Sequence, residues 1–150
     1  LATGDTPEFR ATPLQMAVFV SAIANGGYVY EPAWENADTM TLERKPVPSN
    51  KPRAATADAL AVVRQGMAAC VDSSLGTCHS LSNMGHPAAG KTGTARKVTG
   101  PRTHAWFIGF TTVDDPEAAV VVFLEQGEGA RDAAPVARRI LQAWHQCKIY

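Results

Sequence analysis

The feature that most constrains the fold is an unbroken apolar run from Ala118 to Leu124. Such a run, rich in β-branched residues, is typical of a central strand that is covered on both faces of a sheet. An aromatic and β-branched segment, 105–112, precedes it across a turn at Pro116, and residues 87–98 are also predicted to be extended. Consecutive strands joined by short turns pair antiparallel, so the sequence predicts a three-stranded antiparallel sheet in the C-terminal half.

Three helices are predicted to pack on this sheet. The first carries a capping box, with Thr12 as N-cap, Pro13 at the first helical position and Gln15 completing the box. Its apolar residues spread round much of the helix, so it is expected to be mostly buried. The second helix begins after Thr56 as N-cap, and the third has Asp132 near its start. The predicted apolar face of the third helix consists of Val136, Ala137, Ile140, Leu141 and Trp144. This order of helices and strands predicts an α+β fold.

Length and charge exclude several classes of protein. The chain has 150 residues and a formal net charge of +0, which is the size of one ordinary domain. A balanced charge argues against nucleic-acid binding, because neutralising phosphates needs an excess of Lys and Arg. No apolar run approaches the roughly 18 residues of a membrane-spanning helix.

Three cysteines, Cys70, Cys78 and Cys147, leave at least one thiol unpaired within the chain. Cys70 and Cys78 could form a disulfide in an oxidising compartment, and the alternative is a pair of buried thiols. Their separation lacks the short paired spacing of structural zinc sites. We therefore expect neither a metal nor a cofactor.

The segment that carries chemistry is Gly90-Lys91-Thr92-Gly93-Thr94, and two interpretations compete for it. Residues 85–92 match the phosphate-binding pattern G-x-x-x-x-G-K-[ST]. That pattern works only where a buried strand precedes the loop and a helix begins at the lysine. Residues 78–84 are polar, and the residues after Lys91 are poor helix formers. A nucleotide-binding loop is therefore the remote alternative.

The second interpretation is a strand at the edge of a binding site, with Lys91, Thr92, Gly93 and Thr94 as substrate-binding residues. Lys91 supplies a positive charge for an anionic substrate. The hydroxyls of Thr92 and Thr94 are two residues apart, so they lie on one face of the strand. Gly93 lets a ligand approach the backbone. The strand edge offers N–H and C=O groups to an extended peptide or to an oxyanion.

Four segments resemble the C-terminal part of a penicillin-binding protein transpeptidase domain, in the family of serine penicillin-recognising enzymes. They follow one another along this chain in the same order as in the family. Lys91-Thr92-Gly93-Thr94 resembles the third signature of that family. Residues 11–27, ATPLQMAVFVSAIANGG, resemble the helix that precedes the signature. Residues 104–110, HAWFIGF, resemble the strand after it, and 133–135, AAP, resemble the start of the last helix. The resemblance covers most of the chain and is weakest over 28–55.

This resemblance implies a periplasmic peptidoglycan D,D-transpeptidase, which cross-links stem peptides through an acyl-serine intermediate and is acylated by β-lactams. It implies catalytic roles for Lys91, at the anionic end of the site, and for Thr94, whose backbone N–H would be one of two oxyanion donors. It also implies that the Thr92 and Thr94 hydroxyls bind the substrate carboxylate. A β-lactam sensor or another non-catalytic penicillin-binding module is the alternative.

The departure from the family pattern is the nucleophile. The family needs a serine in S-x-x-K and a second S-x-N element, both ahead of the helix that 12–27 resembles. None of the six serines has Lys at the third following position or Asn at the second. We therefore expect residues 1–150 to be the C-terminal portion of a single transpeptidase domain, whose N-terminal part carries the nucleophile and the membrane anchor. A truncated domain exposes apolar surface, so an oligomer or a domain swap is expected.

Overall fold

A computed structural model of the chain describes residues 10–32, 35–36, 41–42, 55–96 and 102–147. The helices are α1 (Pro13–Ala24), α2 (Ala57–Asp72) and α3 (Ala134–Cys147). The strands are β1 (Glu35–Asn36), β2 (Thr41–Leu42), β3 (Ala88–Arg96), β4 (Thr103–Thr111) and β5 (Ala118–Leu124). A 3₁₀ turn at His79–Leu81 and a π-helical turn at Gly129–Ala133 complete the described elements. The α+β class predicted from the sequence is confirmed.

Local sequence signals set the starts of the first two helices. Thr12 Oγ1 accepts a hydrogen bond from the N–H of Gln15 at 3.2 Å, and Gln15 Oε1 accepts one from the N–H of Thr12 at 2.8 Å. These bonds satisfy donors that the first helical turn leaves without a partner. Thr56 Oγ1 accepts in the same way from the N–H of Ala59 at 3.3 Å. Both predicted N-caps are confirmed.

The three long strands form one antiparallel sheet in the order β3-β4-β5. Their prediction from the sequence is confirmed, although residues 97 and 98, also predicted to be extended, lie outside the described residues. The register places Gly90 opposite Gly109 and Thr92 opposite Phe107. Among the described residues, no strand pairs with the other edge of β3.

The position of β5 in the sheet differs from the prediction, because β4 is the central strand of the described sheet and β5 lies at its edge. Both faces of β5 are nevertheless covered. Val120 and Val122 belong to the core cluster that contains Leu141 of α3, whereas Val121 packs against the cluster that contains Val20 of α1. An apolar run therefore indicates that both faces of a strand are covered. It does not indicate where the strand lies in the sheet, because that depends on which strands pair.

Helix α1 is less buried than predicted. Its buried residues are confined to its C-terminal half: Val20, Ala22, Ile23 and Ala24. Leu14 and Phe19 are 59% and 53% exposed.

The apolar face of α3 also differs from the prediction. Ala134, Ala137 and Leu141 are buried, whereas Val136, Ile140 and Trp144 are exposed. The small alanines let the helix backbone approach the sheet closely. Helical spacing defines a broad apolar stripe but does not determine which side of the stripe meets the sheet.

The core divides into two clusters, one on each face of the sheet. One cluster packs α3 and the 3₁₀ turn against Phe107, which is fully buried. The other packs α1 and α2 against Phe110. Helix α2 contributes Met67 to the second cluster and Val71 to the first, so it joins the two layers beside β3. Within the described ranges, no helix has both the length and the apolar character needed to cross a bilayer.

Candidate active-site strand

Lys91 lies in the middle of β3, which continues to Arg96. A phosphate-binding loop needs a helix that begins at its lysine, so that N–H groups at the helix N-terminus face the phosphates. The nucleotide-binding alternative is therefore wrong. The edge-strand interpretation is the one that matches the backbone, because Thr92 and Thr94 alternate with Lys91 and Gly93 on opposite faces of the sheet.

Two glycines allow β3 and β4 to pack closely around an aromatic ring just before Lys91. Gly90 pairs with Gly109 in register. A Cβ on either glycine would collide with the ring of Phe107, which is itself fully buried. Only glycine leaves room for the ring at these two positions. Gly90 also fits the phosphate-loop pattern, so the sequence alone does not reveal this packing role.

Lys91 is exposed, and its Nζ donates a hydrogen bond to the backbone carbonyl of Thr92 at 2.7 Å. This bond keeps the positive charge close to the site strand. The charge therefore lies within reach of an anionic group that docks along β3.

Thr92 is only 9% exposed, and its Oγ1 donates to Thr77 Oγ1 at 2.6 Å. Thr77 lies in the loop between α2 and the 3₁₀ turn. A disulfide between Cys70 and Cys78 closes this loop. Of the two interpretations of these cysteines, the structure therefore has the disulfide and not a pair of buried thiols. Cys147 is a free, exposed cysteine.

Thr94 is exposed, and its Oγ1 accepts a hydrogen bond from the N–H of Gly129 at 3.0 Å. Because the oxygen acts here as an acceptor, the hydroxyl proton of Thr94 remains available to a ligand. The two threonines of the motif thus differ: the proton of Thr92 goes to Thr77, whereas no group among the described residues accepts the proton of Thr94.

Gly129 opens the π-helical turn that lies on the site strand. A Cβ at this position would come within 2.5 Å of the Gly93 carbonyl oxygen and 2.9 Å of that of Trp106. The sequence predicts a loop here and does not identify Gly129 or Thr77 as neighbours of the site. The only sequence signals were a glycine and a threonine in loop segments, and both are common there.

Charged residues stabilise the same turn. Asp132 Oδ2 accepts a hydrogen bond from the N–H of Glu128 at 2.7 Å, and Arg131 Nη2 donates to it at 3.1 Å. The Arg131 guanidinium first, and then the Glu128 N–H, lower the pKa of the Asp132 carboxyl. The carboxylate therefore stays ionised and stabilises the local conformation of the turn. The described residues contain no group of three or more His, Cys, Asp and Glu placed to hold a metal ion.

Comparisons with known proteins all match this chain to members of one family. The sequence profile described as "Penicillin binding protein transpeptidase domain" matches residues 2–142. The chain is 32% identical to the peptidoglycan D,D-transpeptidase PbpA of Mycolicibacterium smegmatis over 88% of its length. It is 31% identical to the peptidoglycan D,D-transpeptidase MrdA of Haemophilus influenzae over 89% of its length. It spans 29% and 23% of these relatives, respectively.

The fold is similar to that of a solved structure of penicillin-binding protein A from M. tuberculosis, an imipenem acyl-enzyme complex. The TM-score is 0.70 and the identity 29%, over 92% of this chain and 32% of that one.

Proposed function

Because the chain belongs to the penicillin-binding protein transpeptidase family, we propose that it forms part of a peptidoglycan D,D-transpeptidase. In this proposal, residues 1–150 are the C-terminal portion of a single transpeptidase domain. The S-x-x-K serine and the S-x-N element lie in a preceding segment, because none of the six serines present has the required neighbours. That preceding part also anchors the protein, with the domain in the periplasm.

The observation that carries the proposal is the edge of β3 with which no described strand pairs. Lys91 is exposed there, and the Thr94 hydroxyl, which accepts from the N–H of Gly129, donates to none of the described residues. An unpaired strand edge can hold an extended peptide by main-chain hydrogen bonds, which suits a stem peptide. A cation at Lys91 and a hydroxyl donor at Thr94, three residues apart on the same strand, suit the carboxylate at the end of that peptide or of a β-lactam.

The reaction divides between the serine and this strand. The serine oxygen attacks the penultimate D-alanine carbonyl, and the bond to the terminal D-alanine breaks as its nitrogen takes up a proton. The amine of a second stem peptide then attacks the ester, which forms the cross-link and releases the serine. The Thr94 N–H stabilises the oxyanion, and such a donor is worth about 2.7–4 kcal/mol of the barrier. Lys91, Thr92, Gly93 and Thr94 bind the substrate, and Thr92 does so through its main chain, because its hydroxyl proton goes to Thr77 Oγ1.

The relatives support β-lactams as ligands, because the M. tuberculosis protein is an acyl-enzyme with imipenem in its solved structure. Exposed apolar side chains support the proposal that residues 1–150 are one part of a larger domain. They lie on α1 and α2, and comprise Leu14, Phe19, Val62 and Val63. In the proposal, the preceding part of the domain covers them.

The test is covalent labelling with a fluorescent penicillin, followed by a D-alanine release assay on a stem-peptide substrate. The full-length protein should bind one penicillin per chain and should release D-alanine. Acylation without release would instead support the β-lactam sensor, and an inert full-length protein would refute the proposal. The isolated chain 1–150 should remain unlabelled, because it lacks the nucleophile.

A further inference from the structure

The Thr92 hydroxyl is the first member of a hydrogen-bond chain that leads away from the site. Thr92 Oγ1 donates to Thr77 Oγ1 at 2.6 Å, and Thr77 Oγ1 lies 3.4 Å from Cys70 Sγ. Cys70 is bonded to Cys78, so its sulfur carries no proton and can only accept. Thr77 must therefore donate to the sulfur, and its oxygen is left to accept from Thr92.

The loop that carries Thr77 is held firmly in place. The disulfide closes it across a sequence separation of 8, and the N–H of Cys78 donates to the Cys70 carbonyl at 3.2 Å. Gly76 packs directly on the Cys70 carbonyl, where a Cβ would collide. Cys78 itself is fully buried in the core cluster under α3. Thr77 is thus fixed relative to the core and not only to its neighbours in sequence.

We propose that Thr77 is a positioning residue for the site strand, and that the Cys70–Cys78 disulfide positions Thr77. The hydrogen bond from Thr92 fixes the Thr92 rotamer, and with it the backbone that presents Lys91 and Gly93. The inference rests on the transpeptidase function proposed above. It adds a support for the strand that the motif itself does not contain.

The test compares variants of the full-length protein by the second-order rate constant of penicillin acylation. Thr77→Val keeps the volume but removes the hydroxyl, and should slow acylation about tenfold, as expected for one lost hydrogen bond. Thr77→Ser restores the hydroxyl and should restore most of the rate. Thr112→Val is the matched control, because the Thr112 hydroxyl bonds to Asp115 O in the turn between β4 and β5, away from Lys91. It should acylate like the wild type.

The role of the disulfide is tested by replacing Cys70 and Cys78 together with alanine. This pair of changes should slow acylation, and adding Thr77→Val should slow it little further, because both act through one chain of contacts. Wild-type acylation by Thr77→Val, a Thr77→Ser variant as slow as Thr77→Val, or fully additive effects would each overturn the proposal.

Amide hydrogen exchange at residues 91–94 separates this inference from the proposed function. Thr77→Val should speed exchange there, at a melting temperature close to that of the wild type, while Thr112→Val should not. If the wild-type protein is not acylated at all, the proposed function fails, and the exchange rates still decide the positioning role. Unchanged exchange at 91–94 in Thr77→Val would overturn that role.

Discussion

The Thr94 hydroxyl oxygen accepts a hydrogen bond from the N–H of Gly129 at 3.0 Å, across 35 residues of sequence. This bond fastens the turn that begins α3 to β3, the strand that holds the candidate site residues. The turn has no room for a side chain at its first residue, since a Cβ on Gly129 would meet backbone atoms of Gly93. Because backbone atoms cannot rotate out of the way as a flexible side chain can, a side chain at position 129 is expected to destabilise the protein.

Gly129→Ala should destabilise the protein by about 1–3 kcal/mol, the usual cost of overpacking. It should also slow penicillin acylation of the full-length protein, because Gly93 and Thr94 must shift. Gly66→Ala is the matched control. Gly66 lies in α2 with open space around its Cβ position, so alanine there should stabilise by roughly 0.5–1 kcal/mol. Urea unfolding measures both, and equal stability of the two variants would contradict the packing argument.

Thr94→Val should slow penicillin acylation about tenfold, because it removes a hydroxyl proton that no described residue accepts. Thr94→Ser should retain most of the rate. The decisive comparison uses a penicillin whose carboxylate is esterified, on which Thr94→Val should have little effect. A similar loss with both penicillins would show that the hydroxyl does not act on the carboxylate.

Protein stability should fall as the pH is lowered below about 6.5, the ordinary pKa of histidine. The His86 ring stacks on that of His145 with centroids 4.3 Å apart, and neither ring nitrogen of His86 has a hydrogen-bond partner within the described part of the chain. Burial first, and then the nearby His145, lower the pKa of His86 in the folded state. The unfolded chain therefore takes up its proton at a higher pH than the folded protein does.

The His86 contribution is thus fully present above pH 6.5 and is lost as the pH falls towards the lowered pKa of the folded state. Urea unfolding between pH 8 and pH 5 measures this loss. His86→Phe keeps an aromatic ring in the stack and should flatten the pH dependence. His145→Phe should reduce it only in part, because burial is the larger cause. An unchanged slope in His86→Phe would rule out this assignment.

The isolated chain 1–150 should self-associate at high concentration, through the apolar residues that α1 and α2 leave exposed. Leu14→Lys combined with Phe19→Lys should weaken this association, whereas Leu75→Lys should not. Leu75 is a matched exposed leucine, but it lies in the loop after α2. Light scattering with size exclusion measures the mass. A clean monomer at high concentration would contradict the proposal that a preceding part of the domain covers this surface.

Much of the local structure could be predicted from the sequence. The capping residues Thr12 and Thr56, the three antiparallel strands and the placement of Lys91 on a strand all depend on residues within a few positions of one another. Short stretches of sequence contain the side-chain periods of two residues for strands and 3.6 residues for helices. They also contain the capping side chains that bond to nearby N–H groups.

Contacts between distant segments could be settled only by the tertiary structure. Thr92 and Thr77 are 15 residues apart, and Thr94 and Gly129 are 35 apart. No periodicity links such pairs, because their meeting depends on how helices and loops dock on the sheet. The sequence by itself therefore determined that the candidate site residues 91–94 lie on a strand. The tertiary structure decided that the Thr92 hydroxyl turns to Thr77, that the Thr94 hydroxyl accepts from Gly129, and that β4 rather than β5 is the central described strand.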